Sequence, residues 1–115
     1  MDRLIYKILP EWLWFASLKQ GLFTGAEVDL ADGYIHFSTR DTVKETAAKH
    51  FARQDDLMLV AFEETSFEPP LKWEPSRGGQ LFPHLYGAVK PDTAHWAEPL
   101  LLGDDGKHIF PDLEA

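Results

Sequence analysis

Gly33-Tyr34-Ile35-His36-Phe37-Ser38-Thr39 is the stretch on which the reading of this chain turns. Side chains alternate across a strand, so Tyr34, His36 and Ser38 share one face while Ile35 and Phe37 share the other. The apolar pair is the expected core face. The opposite face then carries a phenol, an imidazole and a hydroxyl in a row, more chemistry than a half-exposed strand requires. Asp32-Gly33 supplies the turn that launches the strand, and a helical pattern begins directly after it. Ser38 or Thr39 is placed to cap that helix. Its periodicity runs to about Arg53, with Val43, Ala47, His50 and Phe51 along one stripe. A strand end beside a helix start can offer a ligand both hydrogen bonds and partial positive charge.

Outward from this stretch, Leu4 to Leu9 is a β-branched and aromatic run closed by Pro10, the first strand. Pro10 suits the first turn of a helix that Gly21 stops, with Glu11 favourably placed against its dipole. Trp12, Phe15 and Ala16 fall at helical spacing, and both Trp12 and Trp14 are expected in the core. Leu22 to Leu30 reads as irregular and Asp29 to Gly33 as an acidic turn. Leu57 to Phe62 is a continuous apolar run between charges, the pattern of a central strand buried on both faces. Leu71 to Glu74 gives a short strand stopped by Pro75, and Ala88-Val89 and Trp96 to Leu102 supply the last strands. Asp104-Asp105-Gly106 signals a hairpin before His108 to Phe110, and the tail from Pro111 is loosely held. Two helices in the first half and strands through the second argue a single α+β domain over residues 1–115, with a core from about Leu4 to Leu102. The sheet is expected to be mixed and largely antiparallel.

The 115 residues, 44% hydrophobic and 13% aromatic, can build one packed core. A formal net charge of -8 repels a polyphosphate backbone, which argues against nucleic-acid partners while leaving room for a small anionic ligand at a local basic patch. With no cysteine, disulfides, thiolate metal sites and cysteine nucleophiles are excluded. No apolar run is long enough to span a bilayer, and the start lacks a signal peptide's apolar region, so a cytoplasmic location is the expectation.

Three polar groupings could carry chemistry. The first is His36 with Ser38 and Thr39. The second joins Glu74, Ser76 and Arg77 to Gly78-Gly79, where glycines let backbone N–H groups approach an anion and Arg77 can hold it bidentately. Glu74, between Trp73 and Pro75, is expected to be partly buried, with a raised pKa suited to acid–base work. The third is His84 with Tyr86, where Pro83 stiffens the backbone ahead of the imidazole. No local histidine pair supports a metal site. Ser38 lacks the glycine-flanked elbow of a hydrolase nucleophile.

The combination of Ile5 to Ile8, Asp32 to Thr39, Thr46-Ala47 and Trp73 to Gly87 resembles domain-of-unknown-function family 952, small bacterial cytosolic proteins, from about Leu4 to Leu102. That resemblance implies a fold similar to the ADP-ribosylation fold of NAD-consuming ADP-ribosyltransferases, with NAD as a candidate substrate. It implies His36 as the residue orienting the NAD ribose, Ser38 and Thr39 as its support, and Glu74 as the carboxylate facing the transition state. Tyr34, Arg77, His84 and Tyr86 complete the expected cleft. A non-enzymatic module for a small anionic metabolite or a protein partner is the alternative expectation.

Overall fold

The computed structural model describes residues 3–67, 70–76 and 79–113. Strand β1 (Leu4–Pro10) passes directly into helix α1 (Glu11–Gln20), which Gly21 ends in a left-handed conformation, its N–H donating to the Ser17 carbonyl. A short helix α2 (Glu27–Asp32) is closed in the same way by Gly33 and is followed at once by strand β2 (Ile35–His36). Helix α3 (Val43–His50) and strand β3 (Leu57–Glu63) complete the first half. Strands β4 (Lys72–Pro75), β5 (Leu81–Leu85), β6 (Trp96–Leu102) and β7 (His108–Ile109) make up the second. No helix among the described residues is long and apolar enough to cross a membrane.

The strands form two antiparallel sheets, where the sequence reading anticipated one mixed sheet. The larger has the order β1-β3-β6-β7, and the smaller the order β2-β5-β4. As its unbroken apolar run implies, β3 lies inside the larger sheet, and Leu57 to Phe62 are all buried. Each of these side chains larger than Ala61 contributes about 1.5–3 kcal/mol on removal from water, before the entropy of ordering is set against it. One face of the larger sheet presents Ile5, Leu9, Met58, Val60 and Phe62 to the smaller sheet and α1. The other presents Leu4, Tyr6, Ile8, Leu57 and Leu59 to Val43 and Ala47 of α3. The expected hairpin at Asp104 to Gly106 joins β6 to β7, with Leu102 opposite His108.

The stretch Gly33 to Thr39 is the corner between the sheets. Ile35 and His36 pair with Leu85 and His84 of β5. Two residues later Ser38 exchanges both backbone hydrogen bonds with Tyr6, at 2.7 and 2.8 Å, on the free edge of β1. Between them Phe37 turns inward against Phe62 and Phe67, at ring separations of 5.8 and 5.3 Å. The helix does not follow directly, and neither Ser38 nor Thr39 caps it. Thr39 and Thr42 form a turn in which the Thr42 hydroxyl accepts from the Thr39 N–H, and α3 starts at Val43 and stops at His50.

Three further elements differ from the sequence reading. The acidic stretch before Gly33 is the helix α2, six residues long and too short to show a periodicity. Trp14 is buried, but Trp12 is 70% exposed and Phe15 54%, because α1 packs only through the side that carries Leu13, Trp14 and Ser17. Val89 is not in a strand and forms only an isolated bridge with Phe23.

Alternation along β1 leaves Lys7 on the face between the sheets, an ammonium within an otherwise apolar strand and only 6% exposed. Its Nζ reaches Asp29 of α2 at 2.8 and 3.0 Å and donates to the His36 carbonyl at 2.8 Å. Asp29, 2% exposed, also accepts from the Ala26 and His36 backbone N–H groups at 2.8 and 3.1 Å. Gly25 permits this closure: its φ is +128°, and a Cβ there would lie 2.9 Å from the Asp29 Cβ. Burial alone would push the Asp29 carboxyl up. The hydrogen bond from the His36 ring and the Lys7 charge, with Ala26 adding to them, instead hold it at about 2. Burial pushes the Lys7 ammonium below its ordinary value, and Asp29 opposes that shift.

Two outcomes follow for stability. Phe37→Ala should cost about 3–5 kcal/mol in urea denaturation, the usual range for emptying a buried aromatic site, whereas Trp12→Ser should stay within about 0.5 kcal/mol. Asp29 has a folded pKa depressed from 3.8 to about 2. Its contribution is therefore present above about pH 4 and disappears as pH falls toward 2, about 2 kcal/mol over that window. Denaturation midpoints of Asp29→Asn should lack this part of the acid limb. They should also start lower, because the variant leaves Lys7 buried without its counter-charge.

Candidate functional site

The smaller sheet is two-faced for the reason visible in the heptad, the period of two. Ile35, Leu85 and Trp73 turn toward the core. The opposite face collects side chains from all three strands and their ends. His36 sits directly across from His84, and His84 across from Lys72 on its other side. Tyr34 precedes His36 by two residues, Tyr86 follows His84 by two, and Glu74 follows Lys72 by two.

These groups touch. The Tyr34 ring stacks on His84 with centroids 4.3 Å apart and leans on His36 at 4.6 Å and Tyr86 at 5.0 Å. The two imidazoles meet edge-on at 5.3 Å. Lys72 Nζ lies 5.0 Å from the centre of the Tyr86 ring. The stretch around His36 and the stretch around His84, read in sequence as separate groupings, thus become one surface through β2–β5 pairing.

Beside this surface, between α2, α3 and β1, lies a cavity of about 720 Å³. His36, Ser38, Thr46 and His84 bring polar atoms to its wall, and Phe51 and Phe82 bring aromatic surface. Asp32 and Glu27, both exposed on α2, border it as well. Ser38 and Thr46 hydroxyls stand 3.1 Å apart. His50, read as part of an apolar stripe, is exposed at the end of α3 and borders the cavity too.

Of the expected site residues, His36, Ser38 and His84 line the cavity, whereas Tyr34 and Tyr86 join it only through ring contacts. Thr39 belongs to the turn before α3 and does not border it. Arg77 lies outside the described residues. Glu74 stands behind His84: its Oε1 accepts from the His84 ring Nδ1 at 2.8 Å and from the Tyr86 hydroxyl at 2.7 Å. Glu74 is partly buried as expected, but its pKa is not raised. Its side chain is 37% exposed, and the hydrogen bonds from His84 and then Tyr86 hold its carboxyl below the ordinary glutamate range. The same contact pushes the Tyr86 phenol up to about 12, since losing its proton would set two anions side by side.

His36 is engaged on both sides. Nδ1 meets Asp29 Oδ1 at 2.6 Å and Nε2 meets Asp32 Oδ2 at 3.0 Å. A ring placed between two carboxylates donates to both only as an imidazolium. Among the described residues His84 has a hydrogen-bond partner at Nδ1 alone. Asp29, Asp32 and Lys7 were absent from the sequence-derived site. The one signal that could have found the first and last of them is a lysine at an inward position of an apolar strand, which demands a buried carboxylate somewhere in the fold. Among the described residues no three His, Asp or Glu side chains form a group able to hold a metal ion.

Comparison with known proteins places these features in a family. The crystal structure of protein CC0527 from Caulobacter crescentus is 46% identical, over 92% of this chain and 93% of that one, with a TM-score of 0.87. The solution NMR structure of CC0527 gives 47% identity, 90% coverage of each chain and a TM-score of 0.81. No curated protein matches the chain. The model of the family described as "Protein of unknown function (DUF952)" matches residues 8–97, and the chain belongs to that family.

Proposed function

We propose that this protein binds NAD or an NAD-derived nucleotide in an ADP-ribosyltransferase-like cleft, and that its two-sheet α+β domain is a cytoplasmic variant of the ADP-ribosylation fold. One observation carries the reading: His36 and His84, paired across β2 and β5, line a single cavity of about 720 Å³. That volume lies within the range of small-molecule sites. Two imidazoles beside the Ser38 hydroxyl suit a ribose, and the Phe51 and Phe82 rings on the cavity wall give an aromatic base a surface on which to stack.

In this reading His36 orients the ribose once Asp32, the exposed partner of its Nε2, moves aside. Arg77 holds a phosphate. A carboxylate facing the developing positive charge at the anomeric carbon would stabilise transfer of the ADP-ribosyl group. Asp32, which borders the cavity, is the candidate for that role, since Glu74 is turned to His84 and Tyr86 and acts through them. The same fact favours the second reading, a non-enzymatic module for a small anionic metabolite. In that case Glu74→Ala leaves function intact and Arg77→Ala abolishes binding.

Titration of the protein with NAD, followed by calorimetry and by amide NMR, should show saturable binding with the largest perturbations around His36 and His84. Each alanine substitution at these two positions should weaken binding at least about tenfold, equivalent to about 1.4 kcal/mol. No response at millimolar NAD, or perturbations confined to other faces, would remove the nucleotide reading.

A further inference from the structure

His36 and His84 line the same cavity, but only one of them has an atom to spare. Both ring nitrogens of His36 face carboxylates. His84 is 3% exposed, its Nδ1 is fixed on Glu74, and among the described residues its Nε2 has no hydrogen-bond partner. A buried polar atom without a partner is uncommon, and beside a cavity it points to a ligand or a solvent molecule. Glu74 is an acceptor when ionised, so it fixes the His84 proton on Nδ1. The Tyr86 hydroxyl bonds to the same Glu74 oxygen, and Tyr34 covers the ring face, so the imidazole has little freedom to turn. What a neutral His84 then offers at Nε2 is a lone pair.

The rest of the wall is mixed: Ser38, Thr46, Gln54 and His50 can donate as well as accept, while its carboxylates only accept. Asp32 and Glu27 border the cavity, and the Lys7 ammonium that reaches it is neutralised by Asp29 at 2.8 Å. A ligand suited to these walls brings hydrogen-bond donors, and Phe51 and Phe82 add apolar surface. A sugar supplies both, through its hydroxyls and its carbon–hydrogen faces. We propose that His84 Nε2, oriented by Glu74, accepts a hydrogen bond from a 2′ or 3′ hydroxyl of a pentose, so that the described part of the cavity reads the sugar of its ligand and not a phosphate. His84 is thus the ligand-contacting residue and Glu74 a positioning residue. This concerns the same cavity as the nucleotide reading but does not require the ligand to be NAD.

Long-range NMR of protein labelled with nitrogen-15 histidine reports the tautomer of each ring. His84 should show protonated Nδ1 and an unprotonated Nε2. Adenosine should move the Nε2 resonance, whereas 2′,3′-dideoxyadenosine, which lacks the 2′ and 3′ ring hydroxyls and keeps only the 5′ one, and inorganic phosphate should not. Glu74→Ala should shift the ring toward the Nε2–H tautomer and weaken adenosine binding about tenfold, the upper end for one hydrogen bond between neutral groups. Glu74→Gln, whose amide oxygen can still accept from Nδ1, should restore most of both effects. An Nε2–H tautomer in the unmodified protein, an equal response to the two nucleosides, no response to adenosine, or a response to phosphate alone would each overturn the assignment. A protein that answers to adenosine but not to NAD would lose the nucleotide reading above and keep this one. An amine probe such as ethylamine displacing adenosine without moving Nε2 would assign the cavity to a cation and likewise overturn it.

Discussion

The Asp29 carboxylate is the constraint on which the rest of the structure depends. Four donors from three elements converge on it: Lys7 Nζ of β1, the His36 ring Nδ1 and backbone N–H of β2, and the Ala26 N–H at the start of α2. A buried ion pair is a weak source of net stability, because the desolvation of two charges offsets most of their attraction, and removing one partner is far more costly than never having had either. What Asp29 contributes is therefore better described as placement. An apolar residue at position 29 could be buried as readily, but it would not fix which backbone groups face it. With Asp29 present, β1 and β2 are held at one separation and His36 at one ring orientation.

That placement has a chemical consequence for the two histidines, which look equivalent in the sequence. His36 is bound to a fully buried carboxylate held at about 2, so the negative charge beside it persists across the whole physiological range. His84 is bound to Glu74, a half-exposed carboxylate that shares its oxygen with Tyr86. The first pair belongs to the framework and the second to the surface of the site. Their edge-on contact at 5.3 Å brings the framework charge within reach of the groups a ligand would meet, in a setting less screened than open water.

Much of this fold was legible because its signals are local. Strand β1, helix α1 with its Pro10 and Gly21 boundaries, the buried run of β3 and the β6–β7 hairpin each follow from a few adjacent residues. The polar face of Tyr34, His36 and Ser38 followed from alternation alone. What could not be read was long-range. Splitting the strands into two sheets depends on Ser38 bonding to Tyr6 while His36, two residues earlier, bonds to the β5 backbone, and no property of the heptad distinguishes those partners. Asp29 looked like a turn residue because its reason for being acidic is Lys7, twenty-two positions away. The pKa of Glu74 was expected to move the wrong way for a similar reason. Its neighbours Trp73 and Pro75 implied the partial burial it has, but not the donors His84 and Tyr86, ten and twelve positions away, that hold its carboxyl low.

Net charge and site charge then have to be separated. The chain carries -8 overall, which at long range discourages any anion from approaching. At physiological ionic strength such fields fade over about 8 Å, so a ligand already inside the cavity responds mainly to the groups that touch it. Among the described residues those groups are hydroxyls, imidazoles, an amide, aromatic faces and carboxylates, with the one internal ammonium already paired. A nucleotide accommodated by such walls would have to keep its phosphates toward water and turn its sugar inward. This orientation follows from the distribution of acceptors and does not depend on which reaction, if any, takes place there. It makes the acidity of the protein compatible with a nucleotide ligand, because the charge that repels phosphate and the walls that receive the sugar act on different parts of the same molecule.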